Sequence, residues 1–357
     1  MVWRTISSDK ELAKGSLARY FAIVKNTKKA KFSIAKKVSA KFTDTEPLET
    51  LWQQHVKCTE AYCRLEYQID NGKDYVSIPF PKQSYLDLKK QVTNKILKSC
   101  CLCTHRCGVN RLAHQLGYCG CGNKVAVSSI FIHTGEEPEL VPSGTIFTMG
   151  CTIQCKHCQN WTISQWKESN IQFTPKEMAM EVEALHLNGC RNINLVGGEP
   201  TPWLKHWIET FSYVGANLPV VWNSNSYYSQ ETAQLLAGFA DVYLLDFKYG
   251  PGDCAKRLSD APGYWAVNTR NHLLAKRYGE LIVRVLVLPG HLECCTQPIL
   301  QWIAQNLGVQ TRVNLMFQYR PEWRAYEIPE LLRRLTKEEM DRALGYAHEV
   351  GLCNLVT

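Results

Sequence analysis

The sequence predicts an α/β protein: a partial TIM-type (β/α)6 barrel preceded by a small cysteine-rich module and an N-terminal extension. Three observations carry this reading. From about residue 130 onward, short apolar runs alternate six times with stretches of helical spacing, the pattern of parallel α/β folds. Glycines and polar residues gather where those runs end, the side on which a β/α barrel places its chemistry. Cysteine, 16 of 357 residues, is densest between positions 100 and 158 and stands there at ligand spacings.

The strand candidates are residues 144–148, 193–196, 220–223, 242–247, 281–288 and 313–317. Between the first two, residues 175–187 have helical spacing, with Thr174 placed to cap and Pro175 suited to the first turn. Six units in place of eight leave a barrel open on one side, which admits a large substrate, even a segment of another protein. The expected division is an extension of unclear fold at 1–95, a metal-binding module at 96–130 and the barrel at 131–357. Pro79 and Pro81 mark the first break. Hydrophobic residues make up 45% of the chain, enough for a sizeable core. Neither an apolar run of membrane-spanning length nor a signal-peptide core is present, so a cytoplasmic protein with no membrane partner is expected. In a reducing compartment, so many cysteines point to metal and not to disulfides.

The net charge of +8 is uneven: residues 1–42 hold eleven Lys or Arg against Asp9 and Glu11. A basic arm attracts nucleic acid or an acidic protein surface. Charge runs are more often solvated helix faces, and residues 10–24 suit an amphipathic helix, so a nucleic-acid partner is not expected. Cys58 and Cys63, with His55 nearby, read as buried residues in preference to ligands.

The run Cys151-Thr-Ile-Gln-Cys155-Lys-His-Cys158 offers three thiolates directly after a strand. Soft thiolates select iron–sulfur clusters or zinc. A cubane cluster normally takes four cysteines, so three leave one iron open to a ligand. The plainer alternative is a zinc knot one ligand short, or three buried thiols. Upstream, Cys100, Cys103, Cys107 and Cys119 form C-x2-C-x3-C-x11-C, a second metal site of zinc or iron–sulfur type, with Cys101, Cys121 and His105 as competing ligands. The other cysteines, 190, 254, 294, 295 and 353, lack C-x2-C spacing, so no further metal module is expected toward the C-terminus.

Gly197-Gly198-Glu199-Pro200 ends the second strand, where two glycines permit close approach to a ligand and Glu199 offers a charged acceptor. Asn223 and Ser224 end the third strand, Asp246 and Lys248 the fourth, and Arg284 lies inside the fifth. Unpaired buried charge is costly, so Asp246, Lys248 and Arg284 face a ligand or each other. Tyr319 and Arg320, after the sixth strand, are candidates for substrate contact.

The cysteine triplet followed by Gly-Gly-Glu resembles the radical S-adenosylmethionine (radical SAM) superfamily. The order of segments is similar to homologues of pyruvate formate-lyase activating enzyme that carry an N-terminal cysteine knuckle. Matching phrases include Cys-Gly-Val-Asn-Arg111, His-Cys-Gln-Asn160, Val-Leu-Pro-Gly290 and Gln-Tyr-Arg-Pro321, within residues 98–353. One departure is His157, where the superfamily usually has an aromatic residue before the third cysteine. The resemblance implies a 4Fe–4S cluster on Cys151, Cys155 and Cys158, and S-adenosylmethionine as cofactor. Gly197, Gly198, Glu199 and Pro200 would then grip its amino group. Lys248 and Arg284 would meet its carboxylate or ribose, with Asn223, Ser224 and Asp246 close by and Leu288 near the adenine. It further implies an oxidoreductase with a low-potential electron donor such as flavodoxin or ferredoxin, since cluster potentials extend down to about −700 mV. Hydrogen abstraction from a protein, as in glycyl-radical enzyme activation, is the implied activity; modification of a protein or peptide side chain is the alternative. A non-catalytic zinc-knuckle protein that binds nucleic acid is the reading from another class. The two classes separate on purification: the catalytic reading expects a brown protein with iron and sulfide, the other a colourless one with zinc.

Overall fold

Each of the six apolar runs forms a strand, and consecutive members pair in parallel. The computed structural model describes residues 14–357. Its nine strands are β1 (Ala126–His133), β2 (Ser143–Thr148), β3 (Ile171–Gln172), β4 (Ile193–Gly197), β5 (Val220–Ser224), β6 (Val242–Asp246), β7 (Glu280–Leu286), β8 (Arg312–Met316) and β9 (Leu355–Val356). They lie in the order β3-β1-β2-β4-β5-β6-β7-β8-β9. From β2 to β9 every pairing is parallel, whereas β1 runs antiparallel to both β2 and β3. Among the described residues no pairing joins β3 to β9, so the barrel is partial and open. Strands β4 to β6 are buried along almost their whole length, as expected of parallel strands covered on both faces.

Helices precede and separate the strands: α1 (Ala18–Val24), α2 (Lys31–Ala35), α3 (Leu48–Asp70), α4 (Tyr85–Ile96), α5 (Trp161–Ser164), α6 (Pro175–Leu187), α7 (Leu204–Tyr213), α8 (Gln230–Leu236), α9 (Cys254–Ser259), α10 (Tyr264–Tyr278), α11 (Gln297–Trp302) and α12 (Lys337–Glu349). Thr174 caps α6 through a capping box with Glu177, and Pro175 occupies its first turn.

The N-terminal extension is a floor for the barrel. Leu17 and Tyr20 of the α1 region join Leu140, Val221, Val242, Leu244 and Ile282 in one buried cluster, beneath the starts of the parallel strands. Glu280, the first residue of β7, accepts the backbone N–H groups of Arg19 and Tyr20 at 2.7 and 2.6 Å. Burial pushes its carboxyl up to about 7. Asp241, just before β6, accepts the backbone N–H groups of Lys31 and Val220 at 3.0 and 2.9 Å and pairs with Arg19 at 3.2 Å. Arg19 also reaches Glu66 and Asp70, while Lys31 pairs with Glu66 and Lys28 with Asp70. These cations are therefore neutralised by α3 and the sheet. The solvated face expected of the basic run holds poorly here; residues 10–13 of the expected amphipathic helix lie outside the described residues. His55 is buried against Tyr85 and Lys89, and Cys58 donates to the Ser39 carbonyl at 3.7 Å.

A second floor element is the β1–β2 connection. Its Glu137 pairs with Arg284 of β7 at 2.7 Å and accepts from Asn314 of β8 at 2.7 Å, and Glu136 also pairs with Arg284. Glu139 pairs with the fully buried Arg312 at 2.5 Å.

Removing one partner of a buried, hydrogen-bonded pair strands the other. Asp241→Ala is therefore expected to cost about 3–5 kcal/mol of folding stability, read by denaturant titration.

Candidate active site

The C-terminal ends of β2, β4, β5, β6 and β7 surround one cavity, and the loops after them supply its walls. Cys151, Cys155 and Cys158 line it from the loop after β2. Each sulfur has a polar neighbour from a different part of the chain. Asn225 Nδ2 donates to Cys151 at 3.4 Å, Ser259 Oγ at the end of α9 donates to Cys155 at 3.0 Å, and Ser164 Oγ lies 3.3 Å from Cys158. Burial raises all three thiols, Cys155 to about 11, so metal binding must expel protons from them. Among the described residues, these three sulfurs do not fall within 4.8 Å of one another.

Gly197, Gly198 and Glu199 line the wall beside the cysteine loop. The reason for two glycines differs from the sequence expectation, because the close neighbour is the protein's own backbone. A Cβ on Gly197, whose φ is +127°, would lie 2.1 Å from Thr148 N, and one on Gly198 would lie 2.1 Å from Gly150 O. Strand β4 is thus pressed against the start of the cysteine loop. Glu199 is buried and accepts from Thr201 Oγ1 (2.5 Å), Ser224 Oγ (2.7 Å) and Asn225 N (2.9 Å). Burial nevertheless pushes it up to about 7. A carboxylate so placed is stabilised by an incoming cation.

Asn223, Ser224, Asp246, Lys248 and Arg284 complete the cavity wall. Burial alone would lower Lys248, but Asp246 at 2.5 Å, with Cys155 beyond it, holds it above its ordinary value. Arg284 is occupied on its floor side by Glu136 and Glu137, and its Nη1 donates to Asn223 Oδ1 at 3.3 Å. Asn223 Nδ2 is buried without a partner among the described residues, a donor left for a ligand. His157 lines the cavity too; its Nε2 meets the Tyr249 hydroxyl at 2.7 Å, and burial pushes it down to about 3, so it is a neutral ring.

Some expectations need correction. Leu286 lines the cavity and Leu288 does not: Leu286 is the last residue of β7, two after Arg284 and on the same face, whereas the strand ends before Leu288. Leu288 is buried beyond the strand, and Pro200 turns the chain away into the Thr201–Trp203 turn. Tyr319 lines the cavity with its ring, but its hydroxyl is bonded to Leu331 O at 2.7 Å; Arg320 is paired with Glu322 outside. The sulfur neighbours Ser164 and Ser259 are not foreseeable from the sequence, because nothing in their local surroundings marks them. At the mouth, Gln159 Nε2 donates to Gln318 O at 3.3 Å, and Trp161 stacks on Trp323 at 4.6 Å between centroids.

The cysteine-rich segment packs directly on this site. Arg111 is buried, donating to Gly122 O and to Pro202 O at 2.7 Å, and Trp166 Nε1 donates to Cys119 O at 3.1 Å. The hydrogen bond from Cys121 pulls Cys119 down to about 6. Among the described residues, Cys100, Cys103, Cys107 and Cys119 do not form a group whose ligand atoms all lie within 4.8 Å of one another. His105 stacks on Tyr118 at 3.6 Å.

Residues 145–303 match the model of the radical SAM superfamily. The chain belongs to the radical SAM superfamily. It is 43% identical over 342 residues to "Uncharacterized protein MJ0674" of Methanocaldococcus jannaschii, covering 94% of this chain and 98% of that one, so the two share a family. A second protein of that organism, "Uncharacterized protein MJ0808", is 26% identical over 257 residues, 66% of this chain and 73% of the other. Among solved structures, Streptococcus suis SuiB bound to precursor peptide SuiA aligns at TM-score 0.41 and 11% identity, over 56% of this chain and 43% of that one. Methylornithine synthase (PylB) aligns at TM-score 0.39 and 16% identity, over 56% and 59%. Radical SAM membership implies a 4Fe–4S cluster and S-adenosylmethionine, and the cavity fits them: three thiols, a buried carboxylate beside them and a spare amide donor share its lining. Among the described residues no helix is long and apolar enough to cross a membrane.

Gly198→Ala is expected to push β4 away from the cysteine loop. Stability should fall by about 1–3 kcal/mol, and iron bound after anaerobic reconstitution should fall to well under half of the wild-type amount.

Proposed function

We propose that this enzyme cleaves S-adenosylmethionine reductively and uses the product to abstract hydrogen from a protein substrate, with glycyl-radical activation as the leading reaction. One observation carries the reading: thiols, Gly-Gly-Glu, Asn223, Asp246 and Lys248 come from separate segments and converge on one cavity. When bound, the reduced cluster and S-adenosylmethionine supply methionine and a 5′-deoxyadenosyl radical, the electron coming from a low-potential donor such as flavodoxin or ferredoxin.

The residues have distinct tasks. Cys151, Cys155 and Cys158 hold the cluster, and their neighbours Asn225, Ser164 and Ser259 tune it by hydrogen bonding to sulfur. Glu199 takes the amino group of the cofactor; Lys248 takes its carboxylate, and Asn223 and Ser224 the ribose side. Arg284 acts from below by orienting Asn223. His157 and Leu286 supply flat and apolar wall. Protein as the substrate class is supported by the amide side chains at the mouth, Gln159, Asn160 and Gln318, which match the donors and acceptors of a peptide backbone. Cys100, Cys103, Cys107 and Cys119 of the knuckle are proposed to hold a second metal centre.

Anaerobic, reduced enzyme should convert S-adenosylmethionine to 5′-deoxyadenosine, and Cys155→Ala should form none. Equal product from both proteins, or none from either, would reject the assignment. Glu199→Gln should weaken cofactor binding at least about tenfold, roughly the 1.4 kcal/mol of one charge-assisted contact. Because burial holds Glu199 near 7, it is neutral below that pH and ionised above it. Cofactor affinity should therefore rise with pH up to about 7 and level off, a dependence absent in Glu199→Gln. For the substrate, deuterium should pass into 5′-deoxyadenosine from a protein fraction labelled at glycine Cα; transfer only from a small-molecule fraction would reject a protein substrate.

A further inference from the structure

Cys254, His291, Cys294 and Cys295 lie outside the cavity, yet their ligand atoms all fall within 4.8 Å of one another. No C-x2-C spacing links these cysteines, and the fold supplies what spacing does not. Cys254 opens α9, after β6, and the other three sit on the turn after β7, where Leu292–Thr296 winds as a π-helix. That wider winding brings the consecutive Cys294 and Cys295 to within 3.7 Å, sulfur to sulfur, and puts His291 Nδ1 3.3 Å from Cys294. π-turns of this kind recur at functional sites. From the other loop, Cys254 Sγ stands 3.7 Å from Cys294 Sγ and 3.5 Å from His291 Nδ1. The loops meet so closely that a Cβ on Gly250 would lie 2.0 Å from Cys294 O.

These separations are those of one tetrahedral ion. Metal–sulfur bonds of about 2.3 Å and metal–nitrogen bonds of about 2.0 Å put neighbouring sulfurs about 3.8 Å apart and sulfur and nitrogen about 3.5 Å apart. The far side of the histidine ring is also engaged. Its Nε2 lies 3.5 Å from both Glu330 Oε1 and Arg257 Nη2, and those two are paired with each other at 2.7 Å. The ring is thereby held with Nδ1 turned toward the cysteines. A disulfide between Cys254 and Cys294 would leave Cys295, His291 and Glu330 without a role.

We propose that Cys254, His291, Cys294 and Cys295 bind a single thiophilic divalent cation of the zinc class. All four positions are filled by protein, so the site is structural and not catalytic. Its place gives it a task. It ties the loops after β6 and β7 together, and it anchors the start of α9, whose last residue, Ser259, touches Cys155. The site is independent of the reaction proposed above.

The test uses full-length protein purified anaerobically, with zinc and iron measured together and zinc ligation read by X-ray absorption. The expected result is about one zinc per chain held by three sulfurs and one nitrogen, falling below about 0.2 in Cys294→Ser and unchanged in Cys155→Ala. Cys294 is exposed, so its substitution spares the core. X-ray absorption of the wild type decides the matter even if that variant folds poorly. Three results would overturn the proposal: no zinc in the wild type, zinc ligated by four sulfurs, or a Cys254–Cys294 disulfide in the anaerobic protein by mass spectrometry.

Discussion

Arg284 is the hinge on which the architecture turns. It sits on β7 inside the barrel, where an uncompensated guanidinium would be prohibitively costly. Glu136 and Glu137 satisfy it from the floor, and Asn223 receives its remaining donor at the cavity. The β1–β2 connection must therefore cross beneath β7 and β8, which also engages Asn314 and Arg312. With the floor filled in this way, the cavity is confined to the upper half of the barrel. The next two residues of the chain, Ser224 and Asn225, hydrogen-bond Glu199, and Asn225 also donates to Cys151. Three consecutive residues thus tie the floor, the Gly-Gly-Glu segment and the cysteine loop together.

Much of this was legible in the sequence, for physical reasons that differ by element. Strands β2 and β4 to β8 announce themselves because parallel strands covered on both faces must be short, apolar and closed by turn residues. The cysteine triplet was legible because all its ligands fall within eight residues. Edge strands β3 and β9, two residues each, carry too little pattern to read. The floor was invisible because Arg19 and Asp241, or Glu137 and Arg284, are far apart in the chain and their pairing exists only once the barrel forms.

The same contrast separates the three cysteine groups. Local spacing revealed two of them and concealed the third, whose ligands come from two loops. In compensation, geometry says more about the third. Its sulfurs and imidazole are already at the separations one ion needs.

The indole pair at the mouth carries a consequence of its own. Trp161 belongs to the segment that follows the cysteine triplet and Trp323 to the one that follows β8, and Gln159 and Gln318 are joined beside them. Displacing either segment breaks the stacked pair and the hydrogen bond together, so the stretch that follows the cluster ligands and the stretch that follows the last long parallel strand shift as one.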